Sequence, residues 1–153
     1  MARRVFFGFH YDRDIWRANI VRNSNVVVGA DRAGFFDHSE YEEAKRQAEE
    51  GIKKMILRHL DNTTVTVVLI GTETANRPWV KFEIDESIKR KNGLLGIYIH
   101  HLKDQDGNVS PRGPKPTVPW HVDFPAYDWD GNVDKFSREI ELAGGRSDLL
   151  RSR

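Results

Sequence analysis

Trp79 and Glu83 lie four residues apart in the run Arg77-Pro78-Trp79-Val80-Lys81-Phe82-Glu83-Ile84. Residues four apart share a helix face, so the spacing stacks a carboxylate beside an indole on the helix this run opens. Lys81 has Asp85 at the same spacing, Asp85 has Lys89, and Glu86 has Arg90. Glu83 has only Trp79 and Ser87, and so no local cation. An acid left unpaired beside an aromatic face suits a site that handles a sugar or a nucleotide. The plainer reading is an acid that the macrodipole favours near a helix N-terminus.

A helix of this kind must be aimed by the elements around it. Val65 to Ile70 is β-branched and apolar and predicts a buried central strand just before it. Val5-Phe6-Phe7-Gly8-Phe9 predicts a first buried strand, Val26-Val27-Val28 a second, and Leu94 to Ile99 another. Trp120-His121-Val122 reads as a short edge strand. Between them, Asp12 is expected to cap a helix with Ile15, Ala18 and Arg22 on one side and Trp16 and Ile20 on the next. Ser39 and Glu42 form a capping box for one long helix carrying Tyr41, Ala44, Ala48, Ile52, Met55, Ile56 and His59. The helix bearing Trp79 and Glu83 should bury Val80, Ile84 and Ile88. A last helix starts at Asn132 or Asp134, carries Val133, Phe136, Ile140 and Ala143 on one face, and is expected to stop at Gly144-Gly145. Residues 144–153 then form a mobile tail.

Strand and helix alternate through most of the chain. That predicts an α/β fold: a doubly wound parallel sheet of about five strands, flavodoxin-like in order, with helices on both faces and a single domain over residues 1–153. Such sheets take ligands outside the carboxyl ends of their strands. Trp79 and Glu83 belong there, as do Phe9 and His10 at the end of the first strand.

Composition narrows the function classes. The chain has 153 residues, 39% hydrophobic and 31% charged, which predicts a folded core rather than disorder. A formal net charge of +1 selects neither nucleic acid nor an acidic membrane. With no cysteine there is no disulfide and no thiolate nucleophile, compatible with a cytoplasmic protein. No signal peptide is recognised, and no apolar run reaches the roughly 18 residues of a spanning helix. The first strand is not followed by a glycine-rich phosphate loop. A phosphate-accepting receiver domain needs an aspartate where this chain has Ile70-Gly71-Thr72. His100-His101 and His121 share no ligand spacing, so no metal is expected.

Several motifs, taken in order, carry a family resemblance. Val5-Phe6-Phe7-Gly8-Phe9-His10 followed by Asp12 resembles the opening of Toll/interleukin-1 receptor (TIR) domains. Trp79-Val80-Lys81-Phe82-Glu83 is similar to the family's third-helix signature, a tryptophan four residues before the catalytic glutamate. With His10-Tyr11-Asp12-Arg13-Asp14, Trp16-Arg17, Val21-Arg22-Asn23 and Ile70-Gly71-Thr72-Glu73-Thr74, the set resembles the TIR-like proteins of the bacterial Thoeris anti-phage system over most of residues 3 to 101. One departure stands out: TIR domains commonly carry a serine where this chain has Gly8.

The resemblance implies an enzyme that cleaves NAD between nicotinamide and ribose and makes a cyclic ADP-ribose-type messenger, with Glu83 as the catalytic residue. NAD is then the substrate, and no cofactor or metal is needed. Departure of nicotinamide leaves an oxocarbenium-like sugar, which Glu83 would stabilise. Trp79 would stack on nicotinamide or adenine, and Phe9 and His10 would form the opposite wall. Each has a plainer reading: Trp79 as packing, Phe9 as core, His10 as a hydrogen-bonded strand end. Expected partners are a second copy of the chain, or an effector reached through the diffusible product. The alternative function is a non-catalytic TIR-like interaction module.

Overall fold

The computed structural model describes residues 3–24 and 38–153, apart from the side chains of His38 and Ser39. Strand β1 (Val5–Gly8), β2 (Val65–Ile70) and β3 (Gly93–Tyr98) are buried at every residue, as near-continuous apolar runs in a parallel sheet must be. A short edge strand, β4 (Ala126–Asp128), completes a sheet ordered β1-β2-β3-β4 with all pairs parallel. The register sets Val5 opposite Val65, and Val65 opposite Gly93. Four strands are thus present among the described residues, against about five expected. The second predicted strand, Val26-Val27-Val28, lies outside the described residues. The order seen is that of a flavodoxin-like sheet with its second strand set aside.

Helices α1 (Tyr11–Arg22), α2 (His38–Arg46), α3 (Ala48–Leu60), α4 (Pro78–Lys89) and α5 (Val133–Arg151) surround the sheet. Strand side chains alternate between two faces. Val65, Val67 and Leu69 pack with Ala18 and Val21 of α1 and with Phe136, Ile140 and Ala143 of α5. Val68 and Ile70 pack with Val80 and Ile84 of α4. Both faces of the sheet are therefore covered, the doubly wound arrangement. Among the described residues no helix is long and apolar enough to cross a membrane.

Five local expectations are corrected. Asp12 does not cap α1: His10 does, its Nδ1 accepting the Arg13 N–H at 3.3 Å, and Asp12 lies inside the first turn. The inner face of α1 is Asp14, Arg17, Ala18 and Val21, while Trp16 and Ile20 are exposed, because a buried ion pair is carried there in place of apolar side chains. The long helix is two helices, broken where Ala48 adopts a left-handed φ of 61°. The edge strand is Ala126–Asp128 rather than Trp120 to Val122, where the Val122 N–H closes a turn on Pro119 O. Finally, α5 runs through Gly144-Gly145 to Arg151. A side chain at Gly144 would collide with the Arg3 guanidinium, so this glycine admits a close contact instead of ending the helix. Along α4, Lys81 pairs with Asp85 as expected, but Lys89 turns to Glu86 at 3.2 Å.

Candidate functional site

Strand β2 ends at Ile70, and the chain makes a single 3-10 turn, Thr74–Asn76, before α4 begins. Pro78 takes the first helical position, where its missing N–H costs nothing. Starting there, α4 points Val80 and Ile84 into the core and turns Trp79 and Glu83 toward the carboxyl end of β1. Glu83 is only 4% exposed. It lies in the second turn of α4, and its burial is more than a favourable dipole by itself requires.

The site is built on Gly8. A Cβ placed on that residue would lie 3.4 Å from Glu83 Oε1, so the absent side chain leaves room beside the carboxylate. Phe9, Trp79 and Glu83 line one small cavity of about 30 Å³, joined by Tyr11, Tyr41 and Arg77. Ile52, Met55 and Ile56 of α3 close it from behind. That volume holds roughly one water. The Tyr11 and Tyr41 rings stack at 4.0 Å between centroids, and Trp79 meets Phe82 edge-on at 5.6 Å.

No cation or hydrogen-bond donor among the described residues reaches the Glu83 carboxylate; the nearby Ser87 hydroxyl donates to the Glu83 backbone carbonyl at 2.7 Å. Burial alone pushes its pKa well above the usual carboxylate range. A buried acid without a counter-ion is costly to keep, and such groups concentrate where function needs them. A cationic ligand group would relieve the cost.

Of the four residues singled out from the sequence, the structure brings Glu83, Trp79 and Phe9 together. His10 stays apart from the cavity as the cap of α1, and burial with the nearby Arg77 charge lowers its pKa. Tyr11, Tyr41 and Arg77 were not singled out. Tyr11 directly follows the strand end and Arg77 directly precedes Pro78, so adjacency offered a signal for both. Nothing in the local sequence marks Tyr41, which arrives from α2.

Around the cavity, Arg77 donates to Asp12 Oδ2 at 3.1 Å, and the Tyr41 hydroxyl donates to the same oxygen at 3.3 Å. Arg17, buried on α1, bonds Asp14 at 3.2 Å, Leu102 O at 2.7 Å, Asn108 O at 2.9 Å and Ser110 Oγ at 2.9 Å. It thereby ties the loop after β3 to the carboxyl end of the sheet. Among the described residues no group of His, Asp or Glu is disposed to hold a metal ion. A roomier cavity of about 310 Å³ lies at the opposite pole, against Gly93, Leu94 and Arg146. It sits at the amino end of β3, and it has neither the indole nor the buried acid.

Fold and site together define a doubly wound α/β domain of the TIR-like class, with a buried acid that no described residue compensates at the carboxyl end of its first strand. The family model described as "Thoeris protein ThsB, TIR-like domain" matches residues 6–104, and the chain belongs to that family. A protein of Bacillus cereus (strain MSX-D12) named "Putative cyclic ADP-D-ribose synthase ThsB1" is 47% identical to it over 118 residues. The match covers 76% of this chain and 62% of that relative's length.

Proposed function

We propose that this chain cleaves NAD at the nicotinamide–ribose bond and closes the remaining ADP-ribose into a cyclic signal for anti-phage defence. The observation that carries the reading is Glu83: buried, without a cation among the described residues, and facing a cavity walled by Trp79 and Phe9. The name of the Bacillus cereus relative supports the product class.

The chemistry follows from those residues. The bond between ribose C1′ and the pyridinium nitrogen breaks, and its electron pair leaves with neutral nicotinamide. Positive charge then spreads over C1′ and the ring oxygen. An ionised Glu83 beside the sugar stabilises that charge, and it does so strongly because the surroundings exclude water. Trp79 and Phe9 offer aromatic faces for the departing ring or for adenine. A hydroxyl or an adenine nitrogen of the same ADP-ribose then bonds to C1′, and the proton released in closing the ring passes to solvent. In a water-poor site that internal attack competes well with hydrolysis. The product leaves the enzyme and acts on a separate effector.

The rival is a non-catalytic interaction module. One observation favours it: a 30 Å³ cavity does not admit a dinucleotide, so catalysis requires the tyrosine and tryptophan walls to part. Chromatography of purified protein incubated with NAD separates the two, as the enzyme releases nicotinamide and a module does not. In infected cells, Glu83→Gln should abolish the cyclic product while the protein still accumulates folded. Full product from a folded Glu83→Gln variant would eliminate the mechanism.

A further inference from the structure

Arg77 stands at the mouth of the Glu83 cavity and at the start of α4. No side chain caps that helix, and its first turn carries no acid. Two sources of positive potential thus meet at one rim: a guanidinium and the helix N-terminus, whose dipole resides on N–H groups that no side chain among the described residues caps. The one acid paired with Arg77 among the described residues is Asp12, at 3.1 Å. Both side chains are substantially exposed, 32% for Arg77 and 50% for Asp12, so water screens the pair and an incoming anion can replace it. The buried Glu83 carboxylate, unpartnered among the described residues and lining the same cavity, marks where a ligand's cationic sugar would rest.

We propose that Arg77 is the residue that recognises the diphosphate of the dinucleotide, and that Asp12 occupies its guanidinium in the free protein as a phosphate would. This deepens the NAD reading and rests on it. NAD carries its charges in that order: a cationic nicotinamide ribose, then two anionic phosphates. The protein offers the complements in matching order, a buried carboxylate and then a guanidinium at the rim. Guanidinium binds phosphate through a planar two-point fork that ammonium cannot reproduce. A helix N-terminus adds backbone donors to the same anion. When phosphate displaces Asp12 from Arg77, the Asp12 carboxylate that also holds Tyr41 is free to move. Tyr41 is part of the stacked roof over the cavity, so arrival of the diphosphate helps to open the site it must enter.

The test uses the full chain and inorganic pyrophosphate, measured by titration calorimetry, because that probe requires no turnover. Asp12→Asn removes the competitor and should tighten pyrophosphate binding by roughly three- to tenfold, and Arg77→Gln should weaken it by about tenfold or more. Arg77→Lys should fall between wild type and Arg77→Gln. In NAD kinetics KM should follow the same opposite directions, with kcat changed far less. If the pair were a brace alone, both variants would shift binding and KM the same way, and that result overturns the proposal. Pyrophosphate binding undetectable in wild type and Asp12→Asn alike also overturns it. Opposite shifts in a protein that releases no nicotinamide would uphold anion recognition by Arg77 while refuting the reaction.

Discussion

Glu83 carries an energetic consequence that solution measurements can reach. Burial raises its folded-state pKa above the unfolded value. Between those two values the folded chain binds more protons than the unfolded chain, so wild-type stability falls as pH rises through that window. Glutamine does not titrate. Glu83→Gln should therefore gain stability relative to wild type as pH rises, seen as a difference in melting temperature that is larger at about pH 8 than at about pH 5. The same logic predicts a proton released when a cationic ribosyl ligand binds, since nearby positive charge favours the carboxylate. Calorimetry in two buffers of different ionisation enthalpy would detect it. Gly8 sits against this acid, and a Cβ carried there would stand 3.4 Å from Oε1. Gly8→Ser should fold and bring a hydroxyl within reach of the carboxylate. Its donation to the charged form lowers the Glu83 pKa, so the acid limb of the NAD-cleavage profile should move to lower pH.

At the scale of elements, one buried side chain makes several of the bonds that hold the loop after β3. Arg17 is 2% exposed and serves Asp14, two backbone carbonyls and a serine hydroxyl. Removing it leaves the Asp14 carboxylate, already raised in pKa by burial, with no ion-pair partner among the described residues. Arg17→Ala should cost about 3–5 kcal/mol in urea unfolding, the range for breaking a buried pair by deleting one partner. A loss below ~1 kcal/mol would mean that the loop is anchored elsewhere. The α1 cap belongs to the same region. His10 accepts through Nδ1, so the cap needs a neutral ring, and its lowered pKa keeps the ring neutral to lower pH.

For the molecule as a whole, the C-terminal half of α5 is a structural seam rather than an appendage. Arg3 grips Asp148 through two bonds of 3.1 and 3.0 Å, and Arg146 donates to Leu94 O at 2.7 Å. Arg151 donates to Asn92 Oδ1 at 2.9 Å, while Asn92 Nδ2 donates to Thr63 and Thr66 hydroxyls. These contacts tie the end of the chain to the amino ends of β2 and β3, the pole opposite Glu83. A chain ending at Ala143 should unfold at a lower denaturant midpoint, since it loses the part-buried bonds of Arg146 and Arg151. The measurement is a chemical melt of the shortened and full-length chains, and equal midpoints would show the seam to be unimportant.

The strands were legible because a parallel sheet buries both faces, and long apolar runs such as Val65 to Ile70 have few other uses. The pairing of Trp79 with Glu83 was legible too, since four-residue spacing is a local property of any helix. Within the described residues the sequence thus determined three strands, the acid, its indole and the end of the sheet where they sit. It misplaced what depends on contacts between distant segments. The Gly144-Gly145 pair looks like a helix stop until Arg3 is found packed against it. His10 reads as a pocket wall or as a hydrogen-bonded strand end, and the choice waits on the Arg13 N–H that binds its nitrogen. Tyr41 over the cavity, Asp12 on Arg77 and Gly8 against Glu83 join residues separated by tens of positions. Such approaches are set by how whole elements pack, and no periodicity within one element encodes them. Only the tertiary structure decided that the acid would be buried, roofed by tyrosines and, among the described residues, left without a counter-ion.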